Sequence, residues 1–302
     1  MARDLNVGII GYDTSHAPAF VRLLNREDDP FHVAGARVVA GYPSFSEDLQ
    51  FSVSRKEGFR AELSELGVRE VCCIEDLLSQ VDAVLLESVD GRRHLSEVKP
   101  VFAARKPVFI DKPLAASLSD AQEIVRLARD SGTPMFSASS LRYDVNVLAL
   151  QNALAGGPVY GCDAFSPATL DATNPGLFWY GVHGVETLYA FLGRGCQRVR
   201  CVFTPAAEVV VGEWADGRLG TVRGTRSGDH DYGVTVFGDR THQAQYNRQV
   251  PLYAQLMERI VAFFQGAPAP VDPLETLETM AFIEAALESS RQGGAPVTLA
   301  VI

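Results

Sequence analysis

Short apolar runs and helical stretches alternate through the first 140 or so residues, and this rhythm constrains the fold more than anything else in the chain. Leu5–Gly11, Arg37–Gly41, Val71–Ile74, Ala83–Glu87, Pro107–Asp111 and Pro134–Ser137 read as six strands. Between them, His16–Asn25, Leu95–Arg105 and Asp120–Asp130 read as helices. Thr14 or Ser15 is the expected cap of the first, and Ser119 with Gln122 the expected capping box of the last. A strand that is apolar on both sides has no face for water. It belongs in a parallel sheet covered by helices on both faces. Crossovers in such sheets are right-handed, which gives a doubly wound architecture.

The pattern changes near Tyr143. A helix over Asn146–Ala155 ends at Gly156-Gly157, and Val159–Ser166 is strand-like. An irregular stretch, Pro167–Pro175, leads to an apolar helix over Gly176–Leu192. Five strand candidates follow: Arg198–Phe203, Glu208–Trp214, Leu219–Arg226, Tyr232–Phe237 and His242–Tyr246. Asp216-Gly217 and Gly238-Asp239 are hairpin signals between them. Helices Leu252–Phe264 and Leu274–Arg291 and a strand over Pro296–Val301 close the chain. The expectation is an α/β protein of two domains. Residues 1–142 form a Rossmann-type parallel sheet. Residues 143–302 form an α+β domain with a largely antiparallel open sheet, and the final helix packs back on the first domain.

Bulk properties exclude several partners. Thirty-seven acidic against 27 basic side chains leave a net charge of −10, with no basic run. Nucleic acid and anionic membrane are therefore not expected as partners. The five cysteines show no Cys-x-x-Cys spacing and read as reduced thiols. The N-terminus lacks an apolar signal region, and no apolar run is long enough for a bilayer. A cytoplasmic protein with a small-molecule substrate is expected.

The first strand-turn-helix is where a dinucleotide pyrophosphate would meet backbone N–H groups. The fingerprint there is Gly-x-Gly-x-x-Gly. This chain has Gly11-Tyr12-Asp13-Thr14-Ser15-His16, so only the first glycine is kept. A carboxylate about 4 Å from a phosphate charge is repelled by roughly 4 kcal/mol at an intermediate dielectric. Two readings follow. Asp13, Thr14 and Ser15 simply cap the helix, or Asp13 turns away while the Thr14 and Ser15 hydroxyls hold a phosphate. The second strand ends Ala40-Gly41-Tyr42-Pro43-Ser44, without a ribose-binding carboxylate or an adjoining arginine. Glu47 and Asp48 come slightly late, which leaves NAD and NADP both open.

Phe109-Ile110-Asp111-Lys112-Pro113-Leu114-Ala115 resembles the Glu-Lys-Pro-Leu segment of the glucose–fructose oxidoreductase, inositol dehydrogenase and rhizopine-catabolism (Gfo/Idh/MocA) family, with Asp111 in place of Glu. Asp82–Glu87 with His94, Leu141-Arg142-Tyr143, His183-Gly184-Val185-Glu186 and Leu274–Leu299 resemble later segments of that family in the same order. The resemblance implies that Lys112 lies beside the nicotinamide and the reacting carbon. It also implies that His183 carries the substrate proton. The family's acid four residues before that histidine is replaced by Trp179, with Tyr180 or Asp171 as substitutes. Glu186 would orient the imidazole, and Arg142 would sit at the substrate. The dinucleotide would be lined by Gly11, Asp13, Thr14, Ser15, His16, Tyr42, Glu87, His94 and Asp111. Gly181 and Gly184, unfavourable in a helix, point to close approach of a ligand or of backbone. Pro113 is expected to form a cis bond or a rigid turn. No metal is expected, since Asp229-His230-Asp231 reads as a loop.

The leading reading is an NAD(P)-dependent oxidoreductase of a CH–OH group in a sugar, cyclitol or related polyol. The alternatives are a non-redox ligand-binding or regulatory member of the family, and a lyase or hydrolase. A homodimer or homotetramer built through the sheet is expected, with Val209, Val211, Val222 and Val234 contributing to one face.

Overall fold

The computed structural model describes residues 4–154, 156–228 and 230–300. In chain order the elements are β1 (Leu5–Ile10), α1 (His16–Asn25), β2 (Ala36–Tyr42), α2 (Gln50–Val53), α3 (Lys56–Glu65), β3 (Arg69–Glu70), α4 (Ile74–Leu78), β4 (Ala83–Leu86), α5 (Gly91–Ala103), β5 (Val108–Ile110), α6 (Leu118–Ser131) and β6 (Met135–Ser137). A 3-10 turn over Ser140–Tyr143 leads to α7 (Val145–Ala153) and β7 (Gly161–Pro167). A second, Gly176–Phe178, precedes α8 (Val182–Leu192), then β8 (Cys196–Phe203), β9 (Ala207–Trp214), β10 (Leu219–Thr225), β11 (Gly233–Phe237) and β12 (Thr241–Gln245). The chain closes with α9 (Ala254–Phe264), α10 (Pro273–Arg291) and β13 (Val297–Thr298).

Two compact units emerge. The first comprises Met1–Ala115, Ser119–Ser137 and Tyr253–Pro273; the second comprises Ala116–Leu118, Ala138–Leu252 and Leu274–Ile302. The helix that returns to the first unit is thus α9. The last helix, which the sequence reading sent there, belongs to the second unit from Leu274 onward. Aromatic packing explains why α9 returns. Phe109 lies 5.1 Å from Phe136, which meets Phe263 of α9 edge-on at 4.9 Å. Such ring pairs add roughly 0.5–1.5 kcal/mol beyond area burial.

In the first unit the sheet order is β3-β2-β1-β4-β5-β6, and every pair is parallel. The order reverses between β1 and β4, and ligands bind beyond the carboxyl ends at that point. Ile10 is in register with Leu86, and Leu86 with Ile110, so the residues after these three strands share one rim. The third strand differs from the expected Val71–Ile74. Only Arg69–Glu70 pairs, because Cys73 accepts the Asp76 amide and opens α4 instead. Similarly, α6 starts at Leu118, so Ser119 lies within its first turn rather than capping it.

The second unit holds a seven-stranded sheet, β12-β11-β7-β10-β9-β8-β13, antiparallel except for β7 with β10. The single apolar helix expected over Gly176–Leu192 is broken before Val182. The four valines do not share an outer face. Val222 and Val234 are buried, whereas Val209 and Val211 are half-buried.

Candidate active site

The β1–α1 turn answers the question its sequence poses. Gly11 has φ +94°, and a Cβ there would lie 2.3 Å from the Ser88 amide nitrogen, so only glycine fits. Asp13 is fully buried and faces away from solvent. Its carboxylate accepts hydrogen bonds from Ser52 Oγ at 2.6 Å and from the Val89 amide at 3.0 Å. Burial pushes this carboxyl up, while the Ser52 and Val89 hydrogen bonds oppose the rise. The helix start is closed largely by its own turn: the Thr14 carbonyl accepts the Ala17 amide at 3.3 Å, and Pro18 has no N–H to offer. Ser15 is exposed and makes no side-chain cap bond, and Thr14 Oγ1 takes only the His16 amide, at 3.3 Å. With its carboxylate turned inward, Asp13 does not present a charge that would repel a phosphate at this turn. Ser52 had no sequence signal, because its partner is 39 residues away.

A cleft of about 650 Å³ lies at the end of β2, lined by residues 42–48 with Asp90, Arg92 and Arg93. The arginines that the β2 sequence lacks therefore come from α5. Both are already paired. Arg92 bridges Asp48 and Asp90, at 2.7 and 2.6 Å, and Arg93 binds Glu97 at 2.8 Å and Ser44 at 3.0 Å.

The rim beyond β4 and β5 carries a buried polar group. His16 Nδ1 lies 2.7 Å from Asp111 Oδ2. Glu87 is fully buried, and neither of its oxygens has a hydrogen-bond partner. Burial, and then the charge of Asp111, raise the Glu87 carboxyl well above its ordinary value, against the pull of Lys112. Burial works to raise Asp111 too, but the charges of His16 and Lys112 outweigh it and hold the carboxyl at about 2. Lys112 follows at the strand end, 8% exposed, joined to Pro113 by a cis bond. His94 and Glu87 were expected to line the dinucleotide, yet both are wholly enclosed. The His94 ring instead ties the end of β4 to the segment after Pro113. Its Nε2 lies 2.7 Å from the Ser88 carbonyl and its Nδ1 3.2 Å from that of Leu114.

In the second unit, His183 sits in the first turn of α8 and is buried. Its Nδ1 is 2.7 Å from Ser139 Oγ, so Ser139 orients the imidazole, the role expected of Glu186. Glu186 instead receives Arg142 Nε, and Arg142 Nη1 reaches Glu275 at 2.8 Å. Both expected substrate-binding residues are thus locked in a buried ion-pair network. Tyr180 and Tyr232 pack edge-on against the His183 ring at 5.3 and 5.8 Å. Trp179 is buried, and Asp171 closes its own turn onto Thr173 at 2.8 Å. Gly184 allows protein rather than ligand to approach. A Cβ there would lie 2.9 Å from Ser166 Oγ and 3.0 Å from Val222 Cγ1. Gly181 faces Leu177 in the same way, at 2.2 Å. Of the Asp229-His230-Asp231 cluster, Asp229 lies outside the described residues, and Asp231 pairs with Arg248 at 2.6 Å.

A doubly wound parallel sheet whose strand order reverses beside the β1–α1 turn is the architecture in which dinucleotides bind. Residues 5–139 match the Gfo/Idh/MocA family model, described as oxidoreductase family, NAD-binding Rossmann fold. The chain is 28% identical over 155 residues to inositol 2-dehydrogenase of Mycolicibacterium gilvum (strain PYR-GCK), covering 51% of this chain and 40% of that protein. It is 27% identical over 220 residues to inositol 2-dehydrogenase 2 of Mycolicibacterium vanbaalenii, covering 68% and 59%. The matches therefore span less than two thirds of these relatives. Myo-inositol dehydrogenase from Lactobacillus casei, solved with NAD(H) and myo-inositol, shares the fold with a TM-score of 0.76 at 17% identity, over 99% of this chain and 98% of that one. Among the described residues, no helix is long and apolar enough to cross a membrane.

Proposed function

We propose that this chain is an NAD-dependent oxidoreductase acting on a CH–OH group of a cyclitol, sugar or related polyol. The observation that carries the reading is the inward turn of Asp13, which removes a carboxylate from the path of a pyrophosphate at the β1–α1 turn although two of the three fingerprint glycines are missing. A bound nicotinamide would supply or accept the hydride. Lys112 would hold the reacting oxygen at the end of β5. In the second unit, His183 is the side chain suited to carry a proton, with Ser139 fixing the ring and Tyr180 beside it. The cyclitol or sugar class follows the curated relatives, which are inositol dehydrogenases.

NAD is favoured over NADP. In the β2 cleft, each arginine already faces a carboxylate, and Glu47 and Asp48 add exposed negative charge. A 2′-phosphate would have to displace these pairs, whereas a ribose diol would not. The exposed Val202, Leu219 and Phe237 of the second sheet favour a second copy of the chain as partner. The test of activity is a panel of inositols and sugars with NAD⁺, followed at 340 nm. Lys112→Ala and His183→Ala should each lower turnover by roughly 10²–10⁴-fold. Turnover unchanged in both variants would remove these residues from the reaction.

A further inference from the structure

We propose that His16, Glu87 and Asp111 form a buried site for one divalent transition-series cation. Each offers one donor atom, an imidazole nitrogen or a carboxylate oxygen, and the three atoms lie within 4.8 Å of one another. Donors bound at about 2.0–2.2 Å to a common ion are separated by about 3–4.4 Å, so the cluster needs only small side-chain adjustments. The His16–Asp111 approach of 2.7 Å would open slightly to admit the ion.

The second observation is Glu87. It is fully buried at the end of an apolar strand, and both of its oxygens lack a hydrogen-bond partner among the described residues. A buried acceptor pair without a donor is costly, and a cation is the counterpart that satisfies both oxygens. Lys112 contributes charge to this neighbourhood, yet neither Glu87 oxygen accepts a hydrogen bond from it. Binding would displace the protons on the donor atoms, leaving two carboxylates and a neutral imidazole at −2 against the divalent ion, with the Lys112 charge nearby. Mixed nitrogen and oxygen donors favour Zn²⁺, Mn²⁺ or Fe²⁺ over the all-oxygen preference of Ca²⁺.

The scaffold is suited to the task. Glu87 and Asp111 follow strand residues that are in register, Leu86 and Ile110, and the Asp111 amide donates to the Leu86 carbonyl at 2.9 Å. His16 is the first residue of α1, in the place of the fingerprint's third glycine. Three positions where small or different residues would serve a plain dinucleotide turn thus converge on one point. An ion there would clamp α1 to β4 and β5, with or without a dinucleotide.

The test uses tag-free full-length protein, stripped with chelator, in a Cys72→Ser/Cys73→Ser background. That background matters because Cys72, Cys73 and Asp76 form a separate, partly exposed cluster able to capture soft metals. Calorimetric titration with Zn²⁺ and with Mn²⁺ should show one equivalent for at least one ion, bound at least tenfold more weakly by Glu87→Gln. Co²⁺ loaded into the parent should give d–d absorption of nitrogen and oxygen ligation, which decides the matter if Glu87→Gln does not fold. No stoichiometric uptake of any of these ions by the folded parent overturns the proposal, as does equal uptake by Glu87→Gln. All readings are made without dinucleotide, so a failure here leaves the oxidoreductase reading untouched.

Discussion

His16, Glu87 and Asp111 show how far single residues can depart from the usual dinucleotide turn while remaining mutually consistent. In chelator-treated protein, Glu87 has its carboxyl raised by burial. A raised carboxyl favours the folded state at low pH. Its contribution is complete below the unfolded value of about 4.5 and is lost as pH climbs toward the folded value. Urea denaturation of metal-free protein should therefore show stability falling above about pH 4.5 from this residue, and Glu87→Gln should flatten that slope. An unchanged slope would mean that Glu87 is not buried as an acid. Arg142 behaves differently, because its buried charge has two carboxylate partners, Glu186 and Glu275. Glu186→Ala leaves Arg142 partly unpaired and should cost roughly 3–5 kcal/mol by denaturant titration. A cost under about 1 kcal/mol would show that water reaches the pair. Neither arrangement was legible in the sequence. Glu186 was read toward His183 three residues away, but Arg142 and Ser139, each 44 residues from its partner, decide both partnerships.

At the scale of elements, α8 depends on Gly184. The helix lies against β7 and β10 so closely that an added methyl would meet Ser166 and Val222. Gly184→Ala exchanges better helix propensity, worth about 1 kcal/mol, for overpacking of roughly 1–3 kcal/mol. A net loss of stability is expected in thermal melts, and a gain would show that the sheet yields. The sequence placed these elements well wherever hydrophobic period was the governing signal. Strands β1, β2, β4, β5 and β6 and helices α1, α9 and α10 fall within a few residues of expectation. It failed where short polar segments fold around a rim. Helices α2, α3 and α4 carry little periodic apolar content and were not foreseen, although α2 provides Ser52, the residue that turns Asp13 inward. The break before α8 was hidden because apolar residues continue on both sides of it.

At the scale of the whole molecule, the likeness of residues 5–139 to an oxidoreductase family model with an NAD-binding Rossmann fold was legible from weak motifs, although none was decisive alone. The charged lining of the β2 cleft was not legible, since Arg92 and Arg93 reach it from about fifty residues further along the chain. The central claim is that a turn with a single fingerprint glycine still holds a dinucleotide. Titrating the protein with NADH and NADPH, and following energy transfer from Trp179 and Trp214, tests it most directly. The account predicts saturable 1:1 binding of NADH in the micromolar range, at least tenfold weaker binding of NADPH, and loss of binding in folded Gly11→Ala. Absence of binding up to millimolar NADH, by folded protein free of copurified nucleotide, would contradict it and leave a ligand-binding role without redox chemistry.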